Sequence, residues 1–98
     1  PYISGRLDQM WARANSNPDK IRNPPSSYIK RIWFDSIVYD QATLEYLVKQ
    51  VGSDRVLYGS DYPFLIGDMK GGLARVDALP AAQRDAIRGL NHRRIYDL

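Results

Sequence analysis

The run Ile32-Trp33-Phe34-Asp35-Ser36-Ile37-Val38-Tyr39 constrains this chain more than any other stretch. It is aromatic and β-branched, and nearly continuous rather than alternating. That is the pattern of a strand covered on both faces, as in parallel sheets. Asp40 follows as a good N-cap. Leu44, Leu47, Val48 and Val51 then recur at helical spacing, Lys49 lies in the last turn and Gly52 stands at the C-cap. A second apolar run, Arg55-Val56-Leu57-Tyr58, ends in Gly59-Ser60-Asp61-Tyr62-Pro63. Strands are expected at about 32–39 and 55–59. With a helix between them and no hairpin signal, they should pair in parallel through a right-handed crossover.

The flanking segments read as helix. Ile3, Leu7, Met10, Trp11 and Ala14 form one apolar stripe. Asn15-Ser16-Asn17-Pro18 should stop that helix. A loop runs to Pro24-Pro25, after which Ser26 and Ser27 are expected to cap a short turn around Tyr28–Arg31. Beyond the second strand, helices are expected at about 70–78, at about 81–89 after Pro80, and in a short piece after Asn91. The fold class is therefore α/β.

Two parallel strands leave both faces and both edges open, so a sheet built for burial needs more strands than this chain holds. The expected solution is the last two βα units of a (β/α)8 barrel, with residues 1–98 forming part of one domain. Such barrels take about 250 residues, so about 150 are expected upstream. A small three-layer domain or an obligate oligomer is the alternative. The chain opens on Pro1 without Met or a signal-peptide pattern, as a processed or excised segment would.

Composition narrows the function. With no Cys there is no disulfide scaffold, thiolate metal site or cysteine nucleophile. One His, His92, cannot build a multi-histidine metal centre within one copy. No apolar run approaches the roughly 20 residues that cross a bilayer. Lack of Cys and of a signal is what a cytoplasmic protein would show. The net charge of +3 is modest. Its one cluster, Arg84, Arg88, His92, Arg93 and Arg94, reads first as a solvated helix end favoured by the macrodipole, and second as a phosphate patch. No basic stripe or stacking motif marks a nucleic-acid module.

The chemistry-bearing peptide is Leu57-Tyr58-Gly59-Ser60-Asp61-Tyr62-Pro63-Phe64. A carboxylate just past the carboxyl end of a parallel strand stands where ligands gather in such folds. There it can bind a metal or take a proton from water. It can equally serve as a turn former or N-cap, although Pro63 leaves little room for a helix to begin. Asp35 reads first as a satisfied barrel polar group and second as a catalytic carboxylate, and Asp40 as a cap rather than half of a carboxylate pair. No nucleophile elbow accompanies Ser60, and Gly71-Gly72 lacks the Lys of a phosphate loop.

The stretch Val56–Phe64 is preceded by Tyr39-Asp40, Leu44–Val48 and Val51–Arg55. Together they resemble the C-terminal part of the amidohydrolase-related family, in the branch of aminocarboxymuconate-semialdehyde decarboxylase and related aromatic-acid decarboxylases. Gly5–Asp8 and Trp33–Asp40 fit as well, so the resemblance covers nearly the whole chain. It implies that Asp61 follows the last barrel strand and is both catalytic and a ligand or neighbour of a Zn²⁺-like divalent ion. It also implies that Tyr62, Pro63 and Phe64 form part of the substrate pocket. The family's metal histidines and its further catalytic His have no counterpart here, and His92 matches none of them. The implied activity is decarboxylation, a C–C lyase reaction, of a small carboxylic acid. The alternatives are metal-dependent hydrolysis of C–N, C–O or lactone bonds, or a non-catalytic truncated fragment. The isolated chain is expected to be inactive and to associate with itself or with the missing barrel segment.

Overall fold

The computed structural model describes residues 1–14, 17 and 19–97. The chain divides into two compact units, Pro1–Ile32 and Trp33–Leu98.

In the first unit, α1 spans Ser4–Arg13. The helix stop expected at Asn15–Pro18 rests mainly on Asn15, Ser16 and Pro18, which lie outside the described residues. The apolar stripe of α1 is real as a pattern but stays open to solvent: Ile3 is 57% exposed and Met10 62%. Trp11 is half-buried; its indole N–H donates to Ile21 O at 2.7 Å, and the Lys20 ammonium sits 4.2 Å from its ring centroid. A 3₁₀ turn occupies Pro25–Arg31. It starts earlier than expected, and neither serine caps it with a side chain. Ser27 Oγ donates back to Pro24 O at 2.6 Å, while the Ser26 N–H goes to Asp8 Oδ1 at 2.9 Å.

In the second unit, β1 is Phe34–Asp35 and β2 is Val56–Leu57. They pair in parallel, with Phe34 opposite Val56 and Asp35 opposite Leu57. The ladder is thus far shorter than the apolar run that announces it. Asp35 and Ser36 end it. Asp35 Oδ1 accepts the Ile37 N–H at 2.9 Å, and Ser36 O accepts the Val38 N–H at 3.0 Å. Those donors are spent on a local turn and cannot serve a ladder. Asp35 is an exposed turn former whose carboxylate is satisfied by the Ile37 N–H. Arg55 likewise lies in a 3₁₀ turn, Ser53–Arg55, ahead of β2.

Between the strands runs α2, Gln41–Val51, capped by Asp40 Oδ2, which accepts from Thr43 N at 2.8 Å and Thr43 Oγ1 at 2.7 Å. Its inner face is the expected one: Leu44, Leu47, Val48 and Val51 are all buried. Gly52 ends it at φ 91°, a conformation that side chains resist. Leu44 and Val51 join Val56, Val76 and Ile87 in the core, each side chain contributing about 1.5–3 kcal/mol of burial.

Next come α3 (Met69–Asp77) and α4 (Ala81–Asp85), which runs through one π turn, Ala86–Leu90, into α5 (Asn91–Tyr96). The helices expected at 81–89 and after Asn91 are thus joined by a π turn rather than separated. Ile87 O, in the π turn, accepts the Tyr58 N–H at 3.0 Å. Buried Asn91 donates from Nδ2 to Ser53 O and to Val56 O, both at 2.7 Å. These bonds tie β2 to the last helix. The basic cluster resolves into a structural helix face. Arg84 pairs with Asp85 and Arg88 with Asp77, both at 2.9 Å. Arg94 donates to Asp54 O at 2.7 Å. Trp33 packs against two guanidinium groups, those of Arg55 at 5.0 Å and Arg94 at 5.1 Å. No helix among the described residues is long and apolar enough to cross a membrane.

Candidate functional site

Gly59 carries the chain from β2 toward Asp61. A Cβ there would lie 2.9 Å from Ile37 Cδ1 and 3.2 Å from Asp35 Cβ, so only glycine lets the two strand ends approach this closely. The Gly59 N–H donates to the fully buried Ser36 Oγ at 3.2 Å, locking the approach. From Ser60 the chain makes a closed loop. Asp61 O accepts the Phe64 N–H and Phe64 O the Gly67 N–H, both at 2.9 Å, and Ser60 O accepts the Asp68 N–H at 3.0 Å. The Tyr62–Pro63 peptide is cis.

Asp61 stands half-buried at the base of this loop in the left-handed region, φ 59°. Its carboxylate is neither a helix cap nor a backbone anchor among the described residues. Its one hydrogen bond there comes from the Tyr39 phenol, whose O–H donates to Oδ2 at 3.2 Å. Tyr39 is itself left-handed, φ 54°, an outlier for a bulky side chain. Desolvation of the phenol, with the hydrogen bond to Asp61 and the charges of Asp61 and Asp68, holds its pKa above the usual tyrosine value; Arg75 opposes this weakly.

Around the pair, the Arg75 guanidinium lies 5.8 Å from the Tyr39 ring centroid and bonds Asp68 at 3.0 Å. Asp68 also caps α3, accepting the Gly71 N–H at 2.8 Å. That backbone bond and then Arg75 hold the Asp68 carboxyl below its ordinary range. The hydroxyl and N–H of Thr43 do the same for Asp40. Sequence reading missed Tyr39, Asp68 and Arg75. The available signal was positional: Tyr39 ends the first apolar run much as Asp61 follows the second.

Tyr62 and Phe64 stand out in solvent at 75% and 69% exposure, and both line a hollow of about 320 Å³ with Gly67, Asp68, Met69 and Lys70. Neither Pro63 nor Asp61 is part of its wall. A larger hollow of about 490 Å³ lies at Arg84, Asp85, Arg88 and Arg93, remote in sequence from this chemistry, with Arg84, Asp85 and Arg88 engaged in ion pairs. His92 is half-buried on α5, its ring stacked on Tyr96 at 6.4 Å and its Nδ1 buried without a hydrogen-bond partner among the described residues. Among the described residues no three His, Cys, Asp or Glu cluster as a metal site.

A parallel strand pair with an aspartate just past its carboxyl end places that carboxylate where α/β barrels gather their active-site residues. The amidohydrolase family model matches residues 4–98, and the chain belongs to that family. Within it the chain is similar to aminocarboxymuconate-semialdehyde decarboxylases. The Dictyostelium discoideum 2-amino-3-carboxymuconate-6-semialdehyde decarboxylase is 37% identical over 73 residues, which is 70% of this chain and 20% of that protein. Among solved structures, the 5-carboxyvanillate decarboxylase of Sphingomonas paucimobilis superposes on 100% of this chain and 30% of its own, with TM-score 0.83 and 25% identity. A dihydroxybenzoic acid decarboxylase from Polaromonas, solved with bound manganese and the inhibitor 2-nitroresorcinol, covers 100% of this chain and 30% of its own at TM-score 0.79 and 20% identity. The structural neighbours are TIM-barrel decarboxylases. The chain spans about a fifth of the length of the curated relatives it matches.

Proposed function

We propose that these residues form the last two βα units of a (β/α)8-barrel decarboxylase, a C–C lyase that removes CO₂ from a small carboxylic acid at a divalent-metal centre. The observation that carries the reading is Asp61. It lies past the carboxyl end of a parallel strand in a chain of the amidohydrolase family, with its carboxylate bonded, among the described residues, by a single phenol and no backbone donor.

The donor chemistry fits one coordination position of a divalent ion and no more. A carboxylate oxygen suits Zn²⁺ or Mn²⁺ alike, and the described residues offer no cluster that completes a site. The imidazole ligands of such a centre would come from outside these 98 residues. When bound, the ion supplies positive charge that stabilises negative charge developing on the substrate. Asp61 would offer its carboxylate to that ion, and Tyr39 fixes one of its oxygens. Tyr62, Pro63 and Phe64 follow Asp61 directly in the chain, and the hollow that Tyr62 and Phe64 line would take the ring or diene body of the acid, with Pro63 assigned to the same pocket by the family resemblance alone. Zn²⁺ is the ion we favour.

The test is product analysis of the full-length enzyme offered aminocarboxymuconate-type and hydroxybenzoate-type acids. The expected result is CO₂ released in step with substrate loss, stopped by a chelator and restored by Zn²⁺ or Mn²⁺. Cleavage of amides, esters or lactones without CO₂ would replace the lyase reading with a hydrolase.

A further inference from the structure

We propose that Tyr39 is the positioning residue of this centre: its phenol holds Asp61 Oδ2 and so commits Oδ1 to the reacting side. The inference rests on the reading of Asp61 given above and extends it to a residue with no ligand of its own.

Register brings the two together. Asp35 and Leu57 are partners across the parallel ladder, and Tyr39 and Asp61 each lie four residues beyond them. Both then turn into the left-handed region, φ 54° and 59°, and the phenol O–H meets the carboxylate at 3.2 Å. Tyr39 is 44% exposed, so burial of the ring does not explain the strained backbone. Backbone strain of this kind persists where the surroundings over-determine it, and it clusters at functional sites.

The surroundings here are specific. The Arg75 guanidinium lies 5.8 Å from the Tyr39 ring centroid and is tethered to Asp68 at 3.0 Å, and Asp68 is pinned in turn by the first turn of α3. Arg75 Nε is buried without a partner among the described residues, and the guanidinium is held through Nη2 on Asp68. A chain of fixed groups thus runs from the start of α3, through the arginine and the aromatic ring, to one oxygen of Asp61. Groups that orient a ligand in this way typically change metal affinity or activity 10–100-fold when removed.

Tyr39→Phe in the full-length enzyme removes the hydroxyl and keeps the ring. Affinity for Zn²⁺, read by competition with a chelator, should fall about tenfold. In the holoenzyme kcat should fall with little change in KM, and the melting midpoint of the metal-free protein should not move. Unchanged affinity and kcat would overturn the proposal. A loss of affinity that comes with a lowered metal-free midpoint would overturn it too, since it would assign Tyr39 to folding. Asp61→Asn separates the two readings. If Asp61→Asn is crippled and Tyr39→Phe is silent, only the positioning role falls. If Asp61→Asn keeps normal affinity and turnover, the metal role of Asp61 falls first.

Discussion

Asp40 shows how much a single side chain can dictate. It accepts both the N–H and the hydroxyl of Thr43, and that interaction depresses its pKa; Asp68 is depressed by Gly71 and Arg75. The folded state therefore binds fewer protons than the unfolded state near pH 4. The stabilisation is complete above the ordinary carboxylate value, about 3.9, and is lost as pH falls through the lower folded values. Melting midpoints measured across this range should drop on acidification. Asp40→Asn, whose amide oxygen can still cap α2, should flatten that drop; a variant as acid-sensitive as the parent would remove Asp40 from the account. Asn91 is the buried counterpart. Asn91→Ala removes the side-chain donor to the buried Val56 carbonyl at a cost of about 1–3 kcal/mol, measurable by urea unfolding, while the Ser53 carbonyl keeps the Val56 N–H. No change in stability would show that the Val56 carbonyl finds another donor.

At the scale of elements, α1 and α2 carry comparable apolar stripes but different burdens. Leu44 on α2 is fully buried, so Leu44→Ala should cost about 2–5 kcal/mol. Leu7 on α1 is 39% exposed, and Leu7→Ala should stay within about 0.5 kcal/mol by the same urea titration. Equal losses would mean that α1 is covered in solution. The contrast also shows what a sequence reveals. Periodicity announces a helix because it reports which residues share a face, and it is silent on what that face meets. The run 32–39 was legible as a sheet segment. Its length was not, because the Asp35 carboxylate and the Ser36 carbonyl capture the next N–H groups. Asp61 was legible from the peptide around it. Tyr39 was not, because its contact depends on the register between two strands 22 residues apart.

At the scale of the whole molecule, a two-stranded sheet is marginal in water, and this chain also exposes large apolar side chains. Ile3 and Met10 do so in the first unit, and Phe64, Leu65 and Ile66 in the second. Exposed apolar surface of this kind favours association. The 98-residue polypeptide by itself should therefore sediment as concentration-dependent oligomers and should bind no stoichiometric Zn²⁺ tightly. A monodisperse monomer that holds one tight Zn²⁺ would contradict the assignment of the remaining ligands to other residues. The most direct test of the central claim is turnover of full-length Asp61→Asn, measured as CO₂ release beside its melting midpoint. The expected result is activity reduced by about 100-fold or more with the midpoint unchanged. Release of CO₂ at the rate of the unaltered enzyme would contradict the account.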